Sequence, residues 1–124
     1  MTSAEQHVVV LGASPKRERY SNRAVRMLAE YGHRVTPVNP GVGVIEGLDV
    51  AHRLSDVAER PDTLTMYVGA RISSEMEEEI VRLDPRRVIF NPGAENPALR
   101  RALEEQGIKT LEACTLVLLR TGQF

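Results

Sequence analysis

His7-Val8-Val9-Val10-Leu11-Gly12-Ala13-Ser14-Pro15-Lys16-Arg17-Glu18-Arg19-Tyr20 is the stretch on which the fold turns. A β-branched apolar run that stops at a glycine reads as a buried strand. The residues from Gly12 to Tyr20 are small at first, then polar and basic, as a loop requires. Ser21 to Tyr31 has helical spacing, with Ala24, Val25, Leu28 and Ala29 on one face. Ser21 stands where an N-cap is expected, and Gly32 where a helix stops.

The same alternation continues outward. Arg34 to Val38 reads as a second strand, ended by Asn39-Pro40-Gly41. Residues Gly41 to Arg53 read as irregular, and Ser55 to Glu59 as a short helix. Thr63 to Val68 is expected as a third strand. A helix follows with Ser73 or Ser74 at its start, Ser74 with Glu77 fitting a capping box, and Met76, Ile80 and Leu83 as the buried stripe. Arg87 to Phe90 is a fourth strand. Asn96-Pro97 opens a helix with Leu99, Ala102 and Leu103 inward and Gly107 as its stop. Ile108 to Leu111 is a fifth strand, and Thr115 to Arg120 a last short helix. Strands alternating with helices imply βαβ crossovers. The expected fold is therefore α/β: a Rossmann-like, doubly wound sheet of about five parallel strands with helices on both faces, in one domain over residues 1–124.

Composition narrows the function. The 124 residues carry a net charge of −1 and are 42% hydrophobic, which suits one ordinary domain and disfavours a general nucleic-acid binder. The one cysteine allows no internal disulfide, and no Cys/His spacing suggests zinc. The start is polar, and no run approaches the length of a membrane span, so a cytoplasmic protein is expected. Arginine supplies every basic side chain except Lys16 and Lys109. Up to Arg34 the basic residues Lys16, Arg17, Arg19, Arg23, Arg26 and Arg34 outnumber Glu5, Glu18 and Glu30.

In a doubly wound sheet ligands bind beyond the carboxyl ends of the strands, where strand order reverses. The loops to read are Gly12 to Asn22, Asn39 to Gly43, Gly69 to Ser73 and Asn91 to Glu95. The first runs into a helix N-terminus, where free N–H groups favour a phosphate. Gly12 permits the turn, and Ala13 and Ser14 keep it low. Lys16, Arg17 and Arg19 add cations, and Ser14 and Ser21 add hydroxyls. A dinucleotide fingerprint is absent: no glycine follows Gly12 until Gly32, and the second strand ends Pro37-Val38-Asn39-Pro40 with no carboxylate for a ribose diol. A carboxylate there would repel a ribose 3′-phosphate, whereas Val38, Asn39 and Pro40 would accept one and pack on adenine. That favours 3′-phospho-ADP, the nucleotide half of coenzyme A.

These residues resemble a known family. Gly12-Ala13-Ser14 with Lys16 and Ser21, Pro37-Val38-Asn39-Pro40, then Ile45 and Gly47, look like the small bacterial CoA-binding-domain proteins. Those are similar to the N-terminal domain of the succinyl-CoA synthetase alpha subunit and of the ADP-forming acetyl-CoA synthetases. Asn91-Pro92-Gly93-Ala94-Glu95-Asn96 and Cys114 to Phe124 resemble one subgroup, so the likeness covers nearly the whole chain. It implies coenzyme A or acyl-CoA as ligand. By resemblance Gly12, Ala13, Ser14, Lys16, Arg17, Ser21 and Asn22 hold phosphate, and Val38, Asn39 and Pro40 line the adenosine pocket. Val68, Gly69 and Ala70 then flank adenine or pantetheine, and Asn91, Pro92, Gly93 and Ala94 the pantetheine arm. Tyr67-Val68 stands where many members carry Phe-Arg, and Arg71 is the nearest cation.

No catalytic constellation is found. The related ligases use a phosphohistidine on a second domain and an ATP-grasp partner. Here His7, His33 and His52 all lie outside the strand-end loops, and His33 fits a cation at a helix C-terminus. Glu77-Glu78-Glu79 reads as a solvated face. Glu95 either meets a ligand or favours the next helix start. Cys114 is either a small buried hydrophobe or a thiol poised for a mixed disulfide with coenzyme A. The expected function is a stand-alone, non-catalytic CoA or acyl-CoA binding protein. The alternatives are a ligase subunit acting with a separate catalytic chain and an NAD-type nucleotide-responsive regulator. A homo-oligomer or a ligase partner is open; nucleic acid and membrane are not expected.

Overall fold

His7–Leu11 forms strand β1, buried along its whole length because it lies between two neighbours. The computed structural model, which describes residues 4–124, continues with α1 (Tyr20–Glu30), β2 (Arg34–Val38), β3 (Val44–Ile45) and β4 (Leu48–Asp49). A 3-10 turn at Leu54–Asp56 precedes β5 (Thr63–Met66), α2 (Ala70–Ser73), a second 3-10 turn (Ser74–Met76) and α3 (Glu77–Leu83). Then come β6 (Arg87–Phe90), α4 (Pro97–Glu105), β7 (Lys109–Glu112) and α5 (Thr115–Arg120). The main sheet has five strands in the order β2-β1-β5-β6-β7, all parallel. Strand order reverses between β1 and β5, which puts the crevice of the fold above Leu11 and Met66.

Alternation along β1 feeds two core layers. Val8 and Val10 pack with Ala24, Val25 and Leu28 of α1 and Leu116 and Leu119 of α5. Val9 and Leu11 pack with Leu64, Met66 and Phe90 against Ile80 of α3 and Leu99 and Leu103 of α4. Pro37 sits inside β2, which is tolerated because β2 is an edge strand.

Several local expectations are corrected. Ser21 does not cap α1: the helix starts at Tyr20, its N-cap position is Arg19, and Ser21 is buried in the first turn. The turn from Lys16 to Arg19 begins the coil one step early (Arg19 N–H to Lys16 O, 3.1 Å), so Ser21 rotates inward. Ala29, expected inward, is exposed. The third parallel strand ends at Met66, not Val68, because its partner β1 ends at Leu11 and only the Tyr67 N–H still reaches Leu11 O at 2.9 Å.

The Ser74–Glu77 capping box is not formed either. The helix begins at Ala70, and Asn96 Nδ2 donates to Ser73 Oγ (2.9 Å) and Ser74 Oγ (3.0 Å) instead. The segment expected as irregular contains the β3–β4 hairpin, whose tip residues Glu46 and Gly47 have φ of 50° and 77°, the signs a type I′ turn needs. Ile45, buried behind it, anchors the hairpin to the α1 layer. The helix expected over Ser55–Glu59 is only the 3-10 turn Leu54–Asp56, pulled in by buried Leu54. β7 starts one residue later than expected, with Ile108 turned into the core.

Candidate functional site

Gly12 brings the first loop against the third parallel strand. Its φ is +87°, and a Cβ there would lie 2.9 Å from Val68 Cγ1 and 3.1 Å from the Tyr67 carbonyl carbon and oxygen. Only glycine meets both conditions without strain. Beyond it Ala13 is buried and joins the second loop: its N–H donates to Val38 O at 3.1 Å, and its carbonyl accepts from Asn39 Nδ2 at 2.8 Å. Asn39 Oδ1 accepts from the Gly41 N–H (2.8 Å), and the Asn39 N–H donates to Ala51 O (3.0 Å). The Asn39-Pro40 corner is thus a rigid piece without a carboxylate. Val38 points into the core, and Pro40 is exposed.

The cations of the first loop divide into two kinds. Arg17 Nη1 pairs with Glu46 Oε1 at 2.8 Å, and Arg26 Nη2 donates to Arg17 O at 2.9 Å. Asn22, fully buried, donates to Ser14 O (2.9 Å) and Glu46 Oε2 (3.2 Å) and accepts from Arg26 Nε (2.8 Å). Arg17 and Asn22 therefore fasten the loop to the hairpin tip. Lys16 and Arg19 are exposed and make no ion pair among the described residues. Ser14 Oγ accepts from the Lys16 N–H at 3.1 Å, which bends the loop.

Gly69 and Ala70 are exposed at the start of α2, and Arg71 follows on the surface. Asn91 is buried with every polar atom in use: Nδ2 donates to Thr65 Oγ1 (2.7 Å) and Met66 O (2.9 Å), and Oδ1 accepts from the Thr115 N–H (2.8 Å). It joins β5, β6 and α5 at one point. Pro92 and Gly93 are exposed, Ala94 is buried, and Glu95 Oε1 accepts from the Gly93 N–H at 2.8 Å. The strand-end loops converge on the carboxyl end of the sheet. There the first loop, the Asn39 corner and Tyr67-Val68 touch directly, and Asn91 ties its turn to Met66.

Between α1 and these loops lies a cavity of about 270 Å³ lined by Tyr20, Tyr67, Asn91, Pro92, Cys114 and Leu116. The Tyr67 hydroxyl is buried without a hydrogen-bond partner, and burial pushes its pKa well above the tyrosine range; the nearby Cys114 thiol acts in the same sense. The Thr65 and Thr115 hydroxyls pull weakly the other way, but they bond each other at 2.8 Å and complete no bond to the phenol. A larger, open hollow of about 530 Å³ borders the β2 edge among His7, Arg34, Asp49 and Glu59, away from these loops.

Glu46, Tyr20 and Tyr67 were not legible as site residues. Glu46 had one weak signal, the Glu-Gly pair between apolar Ile45 and Leu48. His33 departs from the expected helix-end cation: Nδ1 accepts from the Gln6 N–H at 3.1 Å, and burial, with Arg87 second, lowers its pKa. His7 is also buried and shifted down, by burial first and Arg34 second. Among the described residues no helix is long and apolar enough to cross a membrane, and no cluster of His, Cys, Asp and Glu is fit for a metal.

Comparison with solved structures supports this architecture. An uncharacterized protein of known crystal structure is 37% identical, with a TM-score of 0.93 over 98% of this chain and 100% of that one. A protein from Thermus thermophilus (cell-free ID.343) is 29% identical, with a TM-score of 0.88 over 97% and 91%. The dinucleotide-forming acetyl-coenzyme A synthetase 1 of Ca. Korarchaeum cryptofilum shares the fold at 21% identity and a TM-score of 0.75, over 86% of this chain and 25% of that enzyme. No curated protein matches. A family model described as CoA binding domain matches residues 6–120, and on that match this chain belongs to the CoA-binding-domain family.

Proposed function

We propose that this protein is a stand-alone, non-catalytic module that binds coenzyme A or its thioesters at the carboxyl end of the sheet, in the cytoplasm. The observation that carries the reading is the corner at the end of β2. Where a dinucleotide site needs an acid, Asn39 is locked to Ala13 beside the first loop. That leaves room for a 3′-phosphate next to the uncommitted cations Lys16 and Arg19. Gly12, Ala13, Ser14 and the start of α1 form the phosphate turn. Ser21 and Asn22 support it from below, and Arg17 acts chiefly through Glu46. Pro40 with Val68, Gly69 and Ala70 borders the adenosine, Val38 backing the corner from the core, and Asn91 to Ala94 border the pantetheine arm.

A thermal-shift panel of coenzyme A, acetyl-CoA, dephospho-CoA, NADH and ATP tests the reading. A ligand selective for the native state raises the melting temperature by mass action. Coenzyme A is expected to shift it most and dephospho-CoA, lacking the 3′-phosphate, less. A larger shift with NADH, or none with coenzyme A, overturns the proposal.

A second reading has one observation in its favour: the acetyl-coenzyme A synthetase that shares this fold is far longer, 86% of this chain matching only 25% of it. The module would then act as one part of an acyl-CoA ligase, with an ATP-grasp chain supplied in trans. Acyl-CoA formation by such a captured pair would favour this reading over simple binding.

A further inference from the structure

We propose that the cavity between α1 and α5 receives the acyl group of a short, uncharged CoA thioester. The inference rests on the coenzyme A reading above. Two of its walls, Asn91 and Pro92, belong to the turn proposed to border the pantetheine arm, so the cavity opens where that arm would end. Tyr20, Tyr67, Cys114 and Leu116 complete it, and no Asp, Glu, Lys, Arg or His lines it. Asn91 is the most polar wall, but its amide is saturated by Thr65, Met66 and Thr115 and offers nothing to a guest. The cavity therefore presents mostly apolar surface and no cation; its unpartnered polar group, the buried Tyr67 hydroxyl, carries no charge to balance a carboxylate, whose unpaired burial is costly.

Size limits the guest. At about 270 Å³ the cavity is larger than the roughly 150 Å³ apolar void that holds one benzene. It suits a few carbons rather than a long chain. Tyr20, exposed at the rim as the first residue of α1, stands between the cavity and solvent. Acyl length and charge would be read here, and the nucleotide at the Asn39 corner.

Isothermal titration of the intact protein, in reducing buffer to keep Cys114 a thiol, decides the matter. Coenzyme A, butyryl-CoA, succinyl-CoA and palmitoyl-CoA are the probes. Each methylene in an apolar pocket changes affinity by about tenfold or more, so butyryl-CoA is expected to bind at least about tenfold tighter than coenzyme A. Succinyl-CoA and palmitoyl-CoA should show no such gain. Cys114→Phe, which fills the cavity, should cut the butyryl advantage to about twofold or less while leaving coenzyme A affinity near the parent value. Cys114→Leu serves if the larger side chain prevents folding, as judged by far-UV circular dichroism. Equal affinity for coenzyme A and butyryl-CoA, or an equal gain for succinyl-CoA, overturns this inference alone. Failure of all four to bind overturns the coenzyme A reading and this inference with it.

Discussion

At His33 a position that suits a cation holds a neutral ring. The residue follows the C-terminal turn of α1, but it is buried and its Nδ1 already accepts the Gln6 N–H. Protonation would set one N–H against another. Burial, helped by Arg87, therefore holds its pKa below the ordinary 6.5. Since the folded value is the lower one, the unfolded chain takes up a proton first. Stability is then full above about pH 6.5 and is lost as pH falls through the folded value. His33→Asn keeps an acceptor for Gln6 and removes the titration. Its melting temperature should fall less than the parent's between about pH 7 and about pH 5. Parallel curves for the two proteins would show that His33 does not contribute.

The helices show where local signals compete. Asn96-Pro97 was legible as a helix start, and Asn96 Oδ1 does accept the Leu99 N–H at 3.1 Å. Ser74 with Glu77 has an equally good local pattern, yet no cap forms there. The difference is tertiary: the Asn96 amide takes both serine hydroxyls from across the layer. One asparagine thus starts α4 and clamps the α2–α3 junction. Asn96→Ala is expected to cost about 2 kcal/mol, the top of the N-cap range, measured by urea unfolding. Asn96→Asp, which keeps the cap acceptor and loses the donors, should fall between. A cost for the alanine variant below about 0.5 kcal/mol would contradict the clamp. The β3–β4 hairpin escaped notice for a different reason, since strands of two residues carry no readable period.

Across the whole molecule, β1 and β2 serve both core layers, Val9, Leu11 and Val38 on one side and Val8, Val10 and Val35 on the other, because adjacent residues of a strand face opposite sides. Neither layer can open without breaking the sheet that supports the other. Unfolding in urea should be a single transition with a slope of about 1–3 kcal/mol/M. Tyrosine fluorescence reports Tyr20, Tyr31 and Tyr67, while far-UV circular dichroism reports every helix and strand. Their midpoints should coincide, and separate midpoints would mean that the layers melt independently. The α/β order, the parallel sheet and the loops to inspect were all determined by the sequence. Apolar periodicity and the punctuation of Gly12, Gly32, Asn39-Pro40 and Gly107 act locally, so they can be read along the chain. Only the tertiary structure decided that Arg17 is paired with Glu46, that Ser21 faces the core and that Asn91 is saturated. It also assembled the cavity between Tyr20 and Leu116. Those outcomes depend on which side chains meet across many residues of intervening chain, and close packing, rather than local preference, chooses the partners.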